Sequence, residues 1–171
     1  MNTVYLLSGL PGSGKSSFSE IASSILDAVV VSVDKIRYEN QKESYTYALK
    51  LANQVVIENL VRGENVILDS CYMEKEERAE VISALQNEAI LVSIYFNVHI
   101  VICKCRNLAR NMPIEDSAYD RLLSTCVPPC ITEGFDRIVT VENITEKEYR
   151  AYISRKDKAL INATINSRSI D

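Results

Sequence analysis

At 171 residues, 47% of them hydrophobic and 25% charged, the chain has one domain's worth of sequence and enough apolar side chains for a buried core. Its formal net charge of −4 gives no general attraction to nucleic acid or an anionic membrane, so a nucleic-acid substrate would need a local basic patch. No apolar run approaches the roughly 18 residues of a membrane-spanning helix, and MNTVYLLSGLPG, lacking a basic leader, reads as a first strand and not as a signal peptide.

TVYLLS (3–8) predicts a buried strand, and 15–27 a helix with Phe18, Ile21, Ala22 and Ile25 at helical spacing. Between them stands GLPGSGKS: Gly9, Leu10, Pro11, Gly12, Ser13, Gly14, Lys15 and Ser16, followed by Ser17. Gly9, Gly14, Lys15 and Ser16 fit the phosphate-binding pattern Gly-x-x-x-x-Gly-Lys-Ser/Thr, and a strand before it and a helix after it are the context that pattern requires. The glycines let the backbone turn tightly and bring its N–H groups close to an anion, and the helix N-terminus adds its positive end. Lys15 is placed to reach the β- and γ-phosphates of a nucleotide, and the Ser16 hydroxyl to ligate Mg²⁺.

AVVVSV (28–33) is a β-branched strand that runs into Asp34, within SVDKIRYEN. Ligands of open α/β sheets gather at the carboxyl ends of strands, so Asp34 is a candidate base for an attacking hydroxyl. Arg37, about one helical turn on, is suited to hold a phosphate or carboxylate of an acceptor. The plainer alternative makes Asp34 a helix N-cap and puts Arg37 on a solvated face.

A long helix over 44–63 ends at Gly63, and NVILDS (65–70) is a strand ending in a second acid, Asp69. Asp69 sits where an acid would hold Mg²⁺ through water, orient the acceptor or cap the next helix, and the sequence leaves all three open. A charged amphipathic helix (74–88) and a strand (89–98) follow. Then come a helix over 99–111 with a basic end, Pro113, and a second helix over 114–125. Arg106 and Arg110 are four apart and share a face, as in a mobile lid whose arginines steady a transferring phosphoryl group. The plainer reading is a basic helix end complementing its own dipole. The last strand lies in 135–143, and a polar helix is expected from Thr145, with a tail at 157–171 that frays.

The five cysteines (71, 103, 105, 126, 130) lack zinc-site spacing and read as reduced thiols of a cytoplasmic protein, and His99 has no evident metal partner. Tyr38, Tyr45, Tyr47 and Tyr72 are candidates to stack on a base, though helical tyrosines usually pack. Strand–helix alternation along the whole length predicts one three-layer α/β domain of the P-loop NTPase type, with five parallel strands and a helical lid at about 103–118.

Taken together, GLPGSGKS, SVDKIR, the LDS at 68–70, CRNLAR, MPIED and PPCITEGFDRIVTV resemble the phage-type polynucleotide kinase 5′-kinase domain and the small P-loop kinases around it, over roughly residues 1–140. Ser70 and Cys71 stand where that family often has Thr-Asn. The resemblance implies an ATP- and Mg²⁺-dependent phosphotransferase with Asp34 as general base, Arg37 on the acceptor's phosphate, Asp69 near the acceptor, and Arg106 and Arg110 on the transferring group. It also implies that the segment before the last strand lies near the adenine end of the site. The acceptor it implies first is the 5′-hydroxyl of DNA or RNA. The same fold serves kinases of nucleosides, sugar nucleotides and antibiotics, and a nucleotide-binding module without transferase activity is a further alternative. Donor choice between ATP and GTP, and oligomeric state, are left open.

Overall fold

A computed structural model describes residues 1–40, 44–110, 113–143, 149–155 and 161–165. Strand β1 (Thr3–Gly9) turns through the glycine-rich loop into helix α1 (Lys15–Leu26), and β2 (Ala28–Ser32) leads into the short α2 (Val33–Glu39). Helix α3 (Tyr45–Val61), β3 (Asn65–Asp69), α4 (Lys75–Leu85) and β4 (Ile90–Asn97) come next. Helices α5 (Ile100–Leu108) and α6 (Asp116–Thr125), a 3-10 turn (Ile131–Glu133) and β5 (Arg137–Asn143) complete the expected alternation.

The five expected parallel strands run in the order β2-β3-β1-β4-β5, but they are part of a larger sheet that has seven strands among the described residues. Alternation along β1 supplies both faces of the sheet. Val4 and Leu6 join α3 and α4 in one core, with Ala52, Val56, Ile82 and Leu85, while Leu7 joins a second with Ala22 of α1, Cys103 of α5 and Tyr119 of α6. Layers of helix, sheet and helix follow directly. The chain leaves β1 toward β3 and β2 on one side and returns to β4 on the other, so the crevice at the carboxyl end of β1 is the switch point where such sheets bind ligands.

The expected C-terminal helix is corrected. Two further strands, β6 (Tyr149–Arg155) and β7 (Ile161–Ile165), extend the sheet antiparallel beyond β5. Thr145, the expected helix cap, lies outside the described residues, as do 157–160 and 166–171 of the expected tail. In YRAYISR the aromatic and β-branched residues favour a pleated surface, and pairing covers the open N–H and C=O row that β5 would otherwise present.

Helix α1 also differs from the reading of its apolar spacing. Ala22 is buried and Phe18 packs edge-on against Phe96 at 5.4 Å, but Ile21 and Ile25 are 67% and 77% exposed. The inward stripe runs through residues 18, 22 and 26, and the two isoleucines lie to one side of it. No helix among the described residues is long and apolar enough to cross a membrane.

Candidate active site

Gly9, Gly12 and Gly14 take φ values of 149°, 83° and 100°, all in the range that side chains disfavour. Gly12 is required twice over, because a Cβ there would lie 2.3 Å from the carbonyl oxygen of Cys103 on α5. Gly14 is the N-cap of α1 and has no side chain with which to cap it, so the first amides of the helix stay available to an anion. The Lys15 ammonium is folded back on the loop, donating to the carbonyls of Gly9 (2.7 Å) and Leu10 (2.9 Å) and to Ser13 Oγ (3.4 Å).

One cavity of about 550 Å³ opens beside this loop. Pro11, Gly12, Gly14, Lys15, Ser16 and Ser17 line it, while Gly9, Leu10 and Ser13 sit behind as support. Asp34, Arg37, Asp69, Arg106 and Arg110 line the same cavity, so every charged candidate named from the sequence meets the loop there.

Local structure also decides the alternative for Asp34. The N-cap of α2 is Ser32, whose Oγ accepts from the Lys35 amide at 3.3 Å. Asp34 is therefore not the cap; it lies in the first turn of α2, exposed and beside the cavity. Arg37 stands one turn later on the same helix. Asp69 ends β3 and is buried next to α1, with Ser19 Oγ 3.5 Å from Oδ2. Burial pushes its pKa up, against hydrogen bonding from Ser16 and the charge of Lys15, which pull it down. A serine hydroxyl and a buried carboxylate beside it are hard oxygen donors of the kind Mg²⁺ takes, so Ser16 and Asp69 fit that ion. Asn107, between the two arginines, closes the α5–α6 connection through Ile114: its Nδ2 donates to the Ile114 carbonyl at 2.9 Å, and its Oδ1 accepts the Ile114 amide at 3.1 Å. Asn111 and Met112 of the expected lid lie outside the described residues.

Sequence reasoning missed several lining residues. Arg121 of α6 adds a third arginine on the α5–α6 side, and Ser70, Cys71 and Glu77 come from the end of β3 and the start of α4. Tyr45 is the one lining residue among the four stacking candidates, and its hydroxyl lies 2.7 Å from Ser70 Oγ. Tyr72 is fully buried, which excludes it from stacking, and Tyr38 and Tyr47 are exposed away from the cavity lining. None of residues 127–137 lines the cavity. Instead Glu133 forms a bidentate buried pair with Arg78, and Phe135 packs in the core, so this segment holds the structure together.

Glu77 has its pKa pushed up to about 7, chiefly by burial and then by Glu74, with Arg78 opposing. The fold thus disfavours the charged form, and the folded state keeps a proton that the unfolded chain releases. Stability contributed by the protonated carboxyl is present below the ordinary glutamate value of 4.5 and is lost as pH rises toward about 7. With solvent screening on its half-exposed side, the loss is about 1 kcal/mol. Glu77→Gln should therefore remove this slope in denaturant midpoints taken from pH 4 to pH 8, and parallel curves for the two proteins would contradict it.

No curated protein matches this chain. Among solved structures, a putative kinase from Chloroflexus aurantiacus j-10-fl superposes with a TM-score of 0.64 at 15% identity, over 82% of this chain and 88% of that one. A gluconokinase from Sinorhizobium meliloti 1021 gives 0.60 at 16%, over 84% and 83%. A chain of the Pnkp1/Rnl/Hen1 RNA repair complex gives 0.62 at 23%, over 72% of this chain but 43% of that longer one. The model of the AAA domain family matches residues 4–129, which carry the loop, the sheet switch point and all the cavity arginines. The chain belongs to that family, and it shares the fold of the solved kinases on which it superposes.

Proposed function

We propose that the protein moves the γ-phosphate of ATP to a hydroxyl, and that the hydroxyl is the 5′ end of a nucleic acid. The observation that carries this reading is the meeting of Asp34 and Arg37, on one short helix, with the phosphate loop and Arg106 and Arg110 across a single cavity. In this mechanism Lys15 exchanges its bonds to the loop carbonyls for the ATP phosphates. Asp34 takes the proton of the acceptor hydroxyl as its oxygen bonds to the γ-phosphorus, while the bond to the β–γ bridging oxygen breaks and ADP leaves. Arg106 and Arg110, with Arg121 beside them, face the charge on the transferring group. Arg37 holds the phosphate on the 3′ side of the terminal nucleotide, as its forked donors suit. Mg²⁺ would be held by Ser16 and Asp69, and when bound it neutralises phosphate charge.

The chain in this reading is a single P-loop kinase domain of the cytoplasm, with about 103–118 as its lid. A second reading, a small hydroxylated acceptor, is favoured by the carboxylates of Asp34, Asp69 and Glu77 and the hydroxyls of Tyr45 and Ser70 on one part of the cavity wall. That wall suits hydroxyl and amine groups better than a polyanion.

Transfer of labelled γ-phosphate separates the two. Short 5′-hydroxyl DNA and RNA, nucleosides and gluconate would be offered in parallel. Label on the oligonucleotides supports the first reading. Label only on a small acceptor replaces it with the second, and ATP binding with no transfer to any hydroxyl leaves a nucleotide-binding module.

A further inference from the structure

The loop does not hold its shape alone. Tyr119 of α6 is fully buried, and its hydroxyl donates to the carbonyl of Pro11 at 3.0 Å across 108 positions of sequence. Cys103 of α5, also fully buried, belongs to the same core cluster as Tyr119 and sends its thiol toward the Val98 carbonyl at 3.6 Å. Lys104 covers the tyrosine ring, its ammonium 5.5 Å from the centroid, and pairs with Asp120 at 3.2 Å. The backbone of Gly12 is pressed against the Cys103 carbonyl so closely that no side chain fits between them.

Pro11 and Gly12 line the cavity, whereas Tyr119 does not. The tyrosine thus reaches the peptide between them from behind. That peptide is trans, as are all those described, so its C=O and N–H point opposite ways. Drawing the Pro11 carbonyl back toward α6 turns the Gly12 N–H forward into the cavity. Without that hold, the peptide is free to present an oxygen to a phosphate and repel it.

We propose that Tyr119 is a positioning residue for the phosphate cradle: its hydroxyl fixes the Pro11–Gly12 peptide with the amide facing the ATP phosphates. The inference rests on the reading of this loop as the ATP site. It also ties two helices to the state of the loop. Arg106 follows Cys103 by one turn and Arg121 follows Tyr119 by two residues, so the groups that hold the loop are carried on the same helices as the arginines that face the cavity.

Tyr119→Phe removes one oxygen and keeps the ring in its packing. Binding of ATP, inorganic tripolyphosphate and adenosine to the full chain would be measured by calorimetry, alongside thermal unfolding. The expected result is about a tenfold weakening for ATP and for tripolyphosphate, the size of a lost hydrogen bond to a charged group, with adenosine unchanged. A purely structural role would lower the unfolding temperature and leave the ratio of ATP to adenosine affinity as it was, and that result overturns the proposal. Equal weakening of all three ligands overturns it as well. Failure of the unmodified protein to bind ATP or tripolyphosphate removes the reading of the loop itself, and the role of Tyr119 with it.

Discussion

Asp34→Asn is expected to slow phosphoryl transfer by about a hundredfold to ten-thousandfold, with ATP affinity unchanged within a factor of about two. Asparagine keeps the size and polarity of the side chain but cannot take a proton at this oxygen. Helix α2 should be unharmed, because its cap is the Ser32 hydroxyl and the Asp34 side chain is exposed. The split between the two readouts is what makes the result diagnostic. A carboxylate that merely completed the helix would, on removal, cost some stability and little rate. One that held the nucleotide would, on removal, raise the ATP dissociation constant. A carboxylate acting on the acceptor hydroxyl lowers turnover while nucleotide binding stands. Single-turnover transfer and equilibrium ATP binding on the same preparation check it, and near-normal transfer by the variant would take Asp34 out of the chemistry.

The glycine-rich loop was legible because its requirements are local. A strand, three glycines at positive φ, a lysine and a serine lie in one short stretch, and their spacing is the mechanism. Asp34, Arg37 and Asp69 were legible as positions because parallel strands deliver their carboxyl ends to one edge. Which of these residues caps a helix was not, since Ser32 and Asp34 are both good caps and only the backbone decides between them.

The residues that escaped the sequence act across distance. Nothing near Pro11 announces Tyr119, and nothing near Tyr45 announces Ser70. The C-terminal strands escaped for a related reason: a local helix signal near Thr145 competed with the open edge of β5, and the edge exists only once the sheet does. One distant contact does leave a local signal. In α4, Arg78 shares the inward stripe with Val81, Ile82 and Leu85, and a charge on an apolar stripe requires a buried partner.

That partner is Glu133, and breaking the pair is the second large expected effect. Arg78 has no exposed side-chain surface, and Glu133 has 5%. Nε and an Nη bond the two carboxylate oxygens at 2.8 and 2.9 Å, while the other Nη bonds the carbonyls of Tyr72 (3.0 Å) and Met73 (3.2 Å). One guanidinium therefore joins α4, the turn after β3 and the segment before β5. Tyr72, at φ 42°, holds a left-handed conformation unusual for a bulky residue, and this bonding pins it there. Arg78→Met should cost about 3–5 kcal/mol, because it strands a buried carboxylate. Adding Glu133→Leu should return part of the loss, since an apolar pair of similar volume often serves as well as a buried ion pair. Recovery should stop short of complete, because the Tyr72 carbonyl is left without its donor while Met73 keeps the Val127 amide at 3.0 Å. Urea unfolding of the two variants measures both steps. A loss under about 1 kcal/mol for the single change would mean the pair is not closed off from water. The same turn carries Ser70 and Cys71 into the cavity, so the double variant, though folded, should bind acceptor more weakly while its affinity for ATP holds.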